Sequence, residues 1–183
     1  MLGPGKSIAI IGLGGLGSYA IQYAKILASS STILAFGRNN DKLNLAKRNG
    51  ADHAINIKDK KLEDIQEEVN KTTGSKDIDV VIDLVGTEES IPMGFNMLAI
   101  GGTYVSAGLI GNQIKIPLFP FVAREYQYYG SFWGNFNDLR EVMELAKKGL
   151  IKHHIQKFDL SEVNNAHNLL REQKILGRGV LIP

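Results

Sequence analysis

The chain has 183 residues, of which 44% are apolar and 22% charged, with 21 basic and 19 acidic side chains and no cysteine. That length and composition describe one globular domain of moderate size, or slightly more than one, and exclude disorder as the main state. The lack of cysteine excludes disulfides, thiolate nucleophiles, iron-sulfur clusters and cysteine-bearing zinc sites, and a net charge of only +2 leaves no broad basic field for nucleic acid.

No apolar run approaches the ~18 residues of a membrane-spanning helix. The opening Met-Leu-Gly-Pro-Gly-Lys is unlike a signal peptide, so a cytoplasmic protein with no membrane partner is expected. His53, His153, His154 and His167 show no i, i+4 pairing with a nearby acid, and they read as structural or surface side chains.

Apolar, β-branched runs alternate with helical patterns along the chain. Residues 7–11 (SIAII) are a strand of the kind buried on both faces, and 16–27 repeat apolar side chains at helical spacing. Residues 32–36 form a second strand, and a helix capped by Asn40 or Asp41 runs to Arg48 before the stop signal Asn49-Gly50. A short strand over 54–57 and a helix over 62–72 ended by Gly74 follow. The run 79–85 (DVVIDLV) is a central strand, 90–98 a helix with Pro92 in its first turn, and 103–107 a fifth strand. Residues 108–124, with Pro117 and Pro120, read as a connection. A sixth strand over 126–132, a helix over 138–148, a strand over 156–160, a helix over 161–172 and a last strand over 179–182 complete the chain.

Between the first strand and the first helix stands Gly12-Leu13-Gly14-Gly15-Leu16-Gly17, the pattern G-x-G-x-x-G in its required strand, turn, helix setting. Gly12 permits the tight turn, Gly14 lets a pyrophosphate approach the backbone, and Gly17 allows the helix to pack closely on the strand. The helix N-terminus offers N-H groups and partial positive charge to the phosphates. These features predict an α/β Rossmann fold, a doubly wound six-stranded parallel sheet with a short C-terminal helix-strand extension. The place about 20 residues on, where an acid would grip the adenosine ribose, holds Gly37. Glycine removes the repulsion of a 2'-phosphate and Arg38 offers a guanidinium beside it, so NADP is expected over NAD, although Asn39 or Asn40 could still serve ribose hydroxyls.

The runs GLGGLGSYAIQYAK, DKLNLAKRNGADHAIN, DVVIDLVG, GGTYVSAG and the terminal GRGVLIP resemble, in order and at matching distances, the zinc-type alcohol dehydrogenases of the medium-chain dehydrogenase/reductase family. The resemblance implies that Gly12 to Gly17 hold the pyrophosphate, that Gly37 sits where NAD and NADP are told apart, and that Lys42 approaches the adenine ribose. It implies further that the backbones of Ala107, Leu109, Ser131 and Trp133 line the nicotinamide pocket and that Arg178 pairs with the pyrophosphate. Residues 1–150 would be the dinucleotide-binding domain and 151–183 the return segment of a catalytic domain that this chain lacks, together with its zinc ligands. A homodimer is implied as well, through the aromatic sixth strand, which otherwise leaves an open edge.

The leading expectation is thus the NAD(P)-binding half of an alcohol dehydrogenase-like oxidoreductase, inactive alone and completed by a separate catalytic domain. The alternative is a free-standing NADP-binding or redox-sensing module. A methyltransferase would want an acid where Gly37 stands. No catalytic residue is assigned, since Ser106 and Tyr104 read as backbone or core positions.

Overall fold

Runs that are apolar at every position need cover on both faces, and the sheet of this protein meets that need. The structure is a computed structural model that describes residues 2–74 and 77–183. Six strands, β1 (Ser7–Ile11), β2 (Thr32–Gly37), β3 (His53–Asn56), β4 (Ile78–Asp83), β5 (Leu98–Ser106) and β6 (Gln127–Gly130), form one parallel sheet in the order β3-β2-β1-β4-β5-β6. The strand period of two sorts the side chains between the faces. Ile8, Ile10, Ile33 and Ala35 pack with Ile21 of α1 (Gly15–Leu27) and with Leu43 and Ala46 of α2 (Asn40–Arg48). Ala9, Ile11, Leu34 and Phe36 meet Ile65 and Val69 of α3 (Leu62–Thr73) and Ile91 and Phe95 of α4 (Ser90–Met97) on the other side.

The two faces take different helices because the chain runs outward through β1, β2 and β3 and then returns by α3 to lay β4 on the far side of β1. Right-handed crossovers in opposite directions put their helices on opposite faces. The reversal between β1 and β4 opens a crevice beyond the carboxyl ends of those strands, the place where sheets of this kind take ligands.

Three departures from the sequence reading have local causes. β5 starts at Leu98, directly after α4, because Ile78 pairs with Leu98 and Val80 with Thr103, and the surplus residues form a bulge. Gly101 turns there with φ +69, and its N-H donates to the Arg124 carbonyl at 2.8 Å. Within the 108–124 connection, Leu118–Ala123 closes into a short helix, α5. β6 is shorter than 126–132, since the chain leaves the sheet at Ser131 and turns at Trp133 with φ +58.

The Asn135 side chain caps α6 (Phe136–Lys147) by accepting from the N-H groups of Asn137 and Asp138. Next comes a separate β-α-β unit in which β7 (Ile155–Asp159) and β8 (Arg178–Ile182) pair in parallel around α7 (Val163–Arg171), closed by Phe158, Ala166 and Ile175. Buried Gln22 of α1 ties this C-terminal part to the sheet. Its amide donates to the Lys152 carbonyl at 3.0 Å and accepts from the Lys152 N-H at 2.7 Å.

Candidate functional site

The glycine loop occupies the carboxyl end of β1, and its glycines are required for different reasons. Gly12 has φ +94, and a Cβ on it would lie 2.5 Å from Val85 Cγ2. A Cβ on Gly17 would lie 2.0 Å from the Gly12 carbonyl oxygen, so α1 can start this close to the strand only without a side chain there. Gly14 differs from both. Its φ of −80 suits any residue, and a Cβ there would meet nothing within 4 Å. The fold does not ask for glycine at that position, and the open space in front of it is a cradle that a side chain would fill. No side chain caps the first turn of α1, so its leading N-H groups are left without a capping acceptor. Leu16 beside them is exposed, whereas Leu13 is buried.

Arg178, at the start of β8, comes to the same loop. A Cβ on Gly15 would lie 2.7 Å from the Arg178 Nε. The guanidinium therefore lies close against the loop, brought there by a residue more than 160 positions along the chain.

At the end of β2 the picture is less simple. Gly37 faces Leu13, whose Cδ1 would stand 2.7 Å from a Cβ on that glycine. Arg38 does not stand free as the sequence suggested, because its guanidinium pairs with the carboxylate of Glu89, just before α4. The α2 cap is Asn39 rather than Asn40 or Asp41, accepting from the N-H groups of Asp41 and Lys42. Lys42 is partly buried, and loss of water pushes its ammonium below the ordinary lysine range. It lines a groove of about 190 Å³ between α2 and residues 174–176, to which Arg48, Lys174 and Asp41 also contribute.

Beyond β4 and β5, the loops are held by Asp83, which is fully buried. Its carboxylate accepts from the N-H groups of Val85 and Gly86 at 2.8 and 3.0 Å, from Ser90 Oγ at 2.8 Å and from the Tyr104 hydroxyl at 2.7 Å. The Asp83 carbonyl in turn accepts from the N-H of Ala107 and of Gly108. A Cβ on Gly86 would sit 2.2 Å from the Gly108 oxygen, so the two loops touch backbone to backbone. Leu109 follows, three-quarters exposed. Ser131 donates its N-H to the Ser106 carbonyl at 2.8 Å, and Trp133 next to it is exposed.

The residues expected to meet a cofactor thus follow the carboxyl ends of β1, β2, β5 and β6 along the chain, and Arg178 lies against the glycine loop. Sequence reasoning missed Glu89, Asp83, Arg48 and Lys174. Only Asp83 had a local signal, a carboxylate at the end of a β-branched run.

The cradle at Gly14, the uncapped α1 terminus and the Arg178 guanidinium fit a dinucleotide pyrophosphate. Zinc does not fit. The chain has no cysteine, and no three His, Asp or Glu side chains converge among the described residues. No helix among them is long and apolar enough to cross a membrane.

Comparison with known proteins finds dehydrogenases. The pattern of the zinc-binding dehydrogenases matches residues 15–148. An NAD-dependent alcohol dehydrogenase of Sulfurisphaera tokodaii is 38% identical over 100% of the chain and 52% of its own length. A D-arabinose 1-dehydrogenase (NADP+) of Saccharolobus solfataricus is 32% identical over 96% of the chain and 49% of its own. The alcohol dehydrogenase of Aeropyrum pernix superposes with a TM-score of 0.92 at 31% identity, covering 100% of the chain and 52% of that structure. The chain thus spans about half the length of the curated relatives it matches.

Proposed function

The chain belongs to the zinc-binding dehydrogenase family, and from that premise we propose that it binds NADP, or with lower affinity NAD, across the carboxyl edge of its sheet as the cofactor-binding half of an alcohol dehydrogenase-like oxidoreductase. The observation that carries this reading is Gly14, a glycine that neither backbone angle nor packing demands. Gly12 to Gly17 and Arg178 hold the pyrophosphate. Gly37, Arg38 and Lys42 border the adenosine ribose, and the backbones of Ala107, Leu109, Ser131 and Trp133 border the nicotinamide. NADP is favoured because Gly37 supplies no carboxylate to repel a 2'-phosphate. The bound nicotinamide would supply hydride transfer to or from an alcohol or carbonyl. What the chain's own residues do is bind and orient it.

Residues 1–150 are the dinucleotide-binding unit and 151–183 a segment returning from a separate catalytic domain. Two chains associate through β6, the outer strand of the sheet.

Titration calorimetry with both cofactors tests the reading on the wild type and on Gly14→Ala. Because a Cβ at Gly14 touches no protein atom, the substitution should lower stability little, by the few tenths of a kcal/mol to about 1 kcal/mol that an N-cap glycine contributes, and so shift the thermal melt only slightly. It should weaken NADP at least about tenfold, the loss of one good phosphate contact. Unaltered NADP affinity in Gly14→Ala contradicts the site. The 183-residue chain alone should turn over no simple alcohol with NADP, zinc added or not, since it carries no cysteine and no clustered ligands to hold the ion. Steady turnover would contradict that.

A further inference from the structure

The groove between α2 and residues 174–176 carries an excess of positive charge. Three cationic side chains, Lys42, Arg48 and Lys174, line it against the single carboxylate of Asp41. Lys174 has a surface pair with Glu172 at 2.6 Å, while neither Lys42 nor Arg48 has an acidic partner among the described residues. Burial of Lys42 makes its lone charge unfavourable, so an anion entering the groove would relieve it.

Chain connectivity sets how far this groove lies from the glycine loop. Lys174 and Arg178 are four residues apart, a span of at most about 14 Å even when fully extended, and Arg178 rests on Gly15. A pyrophosphate under Arg178 therefore has the groove within the reach of one nucleotide. The guanidinium next to the ribose position, that of Arg38, pairs with Glu89 and lies outside the groove lining.

Resting on the cofactor reading, we propose that the groove is the seat of the phosphate monoester on the adenosine ribose of NADP, held by Lys174 and Arg48 from its two walls with Lys42 between them. Arg38, which does not line the groove, contributes less than Lys174 or Arg48 to the choice between NADP and NAD. Lys174 and Arg48 are then specificity-determining residues, and the C-terminal β-α-β unit takes part in cofactor choice.

Calorimetric titration of NADP and of NAD into the whole chain and into K174Q, R48Q and R38Q tests this, with a thermal melt of each variant as a check of folding. K174Q and R48Q should each weaken NADP by about tenfold, the value of one charge-assisted contact, and leave NAD within about twofold. R38Q should move the NADP to NAD ratio less than either. Lys174 is an exposed loop residue, so K174Q keeps the test sound even if R48Q loosens α2. A ratio unmoved by both K174Q and R48Q overturns the groove while leaving the cofactor site standing. Equal affinity of the unaltered chain for both cofactors, or a ratio abolished by R38Q alone, overturns it too. Failure of the wild type to bind either cofactor overturns the cofactor reading itself and this inference with it.

Discussion

Asp83 is a carboxylate with protein on every side, and it is tolerable only because four donors surround it. The Tyr104 hydroxyl is one of them, and its ring is stacked on Phe95 with centroids 4.6 Å apart. Tyr104→Phe keeps the ring and leaves one carboxylate oxygen with Ser90 alone. We expect it to lower stability by about 1–3 kcal/mol, the penalty for a buried polar atom short of a partner, read as a shift of the denaturation midpoint at constant slope. Burial, and then the Asp83 charge, push the Tyr104 hydroxyl far above its ordinary value of 10.0. The folded state thus resists an ionisation that the unfolded chain undergoes near that pH. This stability is fully present below about pH 10 and is lost as pH rises further. Tyr104→Phe should accordingly flatten the alkaline fall of stability as well as lower its plateau. An unchanged alkaline limb would show that Tyr104 titrates normally.

At the scale of elements, β1 and β4 are pinned at their amino ends by Asp79. It accepts from Lys6 Nζ at 2.7 Å, from the Ser7 N-H at 2.9 Å and from Ser7 Oγ at 3.2 Å. Burial works to raise the Asp79 carboxyl, but the hydrogen bonds from Lys6 and Ser7 and the lysine charge outweigh it and hold the group below the ordinary carboxylate range. A depressed carboxyl contributes stability above its unfolded pKa of about 4, lost as pH falls through the folded value. Asp79→Asn should be less stable than wild type at pH 7, and the gap should narrow in acid. Denaturant titrations at pH 7 and pH 3 would show it, and a gap constant with pH would remove the charge from the account.

These elements were legible in the sequence to very different degrees. SIAII and TILAF announce strands because both faces are covered, and Gly12 and Gly17 announce the turn because only glycine fits it. The start of β5 was not legible, since its bulge is set by pairing to Ile78 and by the Arg124 carbonyl rather than by local preference. Arg38 looked free for a phosphate because its partner, Glu89, is 51 residues away. The Lys174 groove stayed hidden for the same reason, being assembled by tertiary structure from two distant segments.

For the whole molecule, the distribution of exposed apolar surface decides what to expect of assembly. The helices that follow β1 to β4 are packed on the sheet, but α5 and α6 have no buried residue. Phe119, Phe132, Trp133 and Phe136 are each about three-quarters exposed or more, and Tyr129 on the edge strand β6 is more than half exposed. Isolated apolar side chains on a surface need no explanation, but so many exposed aromatic rings on and just beyond an outer strand do, Phe132 and Trp133 among them in edge-to-face contact. A two-fold partner placed along β6 would continue the sheet and cover some of those rings, and this is the arrangement we propose. Light scattering at micromolar concentration should give twice the mass of one chain. Tyr129→Lys puts a charge on the edge strand, the device by which natural sheets discourage edge pairing, so it should shift the mass toward the monomer. It should leave NADP affinity within about twofold, because none of the contacts proposed for the phosphates lies on β6. A wild type that stays monomeric would overturn this arrangement, and a Tyr129→Lys variant that remains a full dimer would move the contact to α6, whose apolar side Leu139 and Met143 present half exposed.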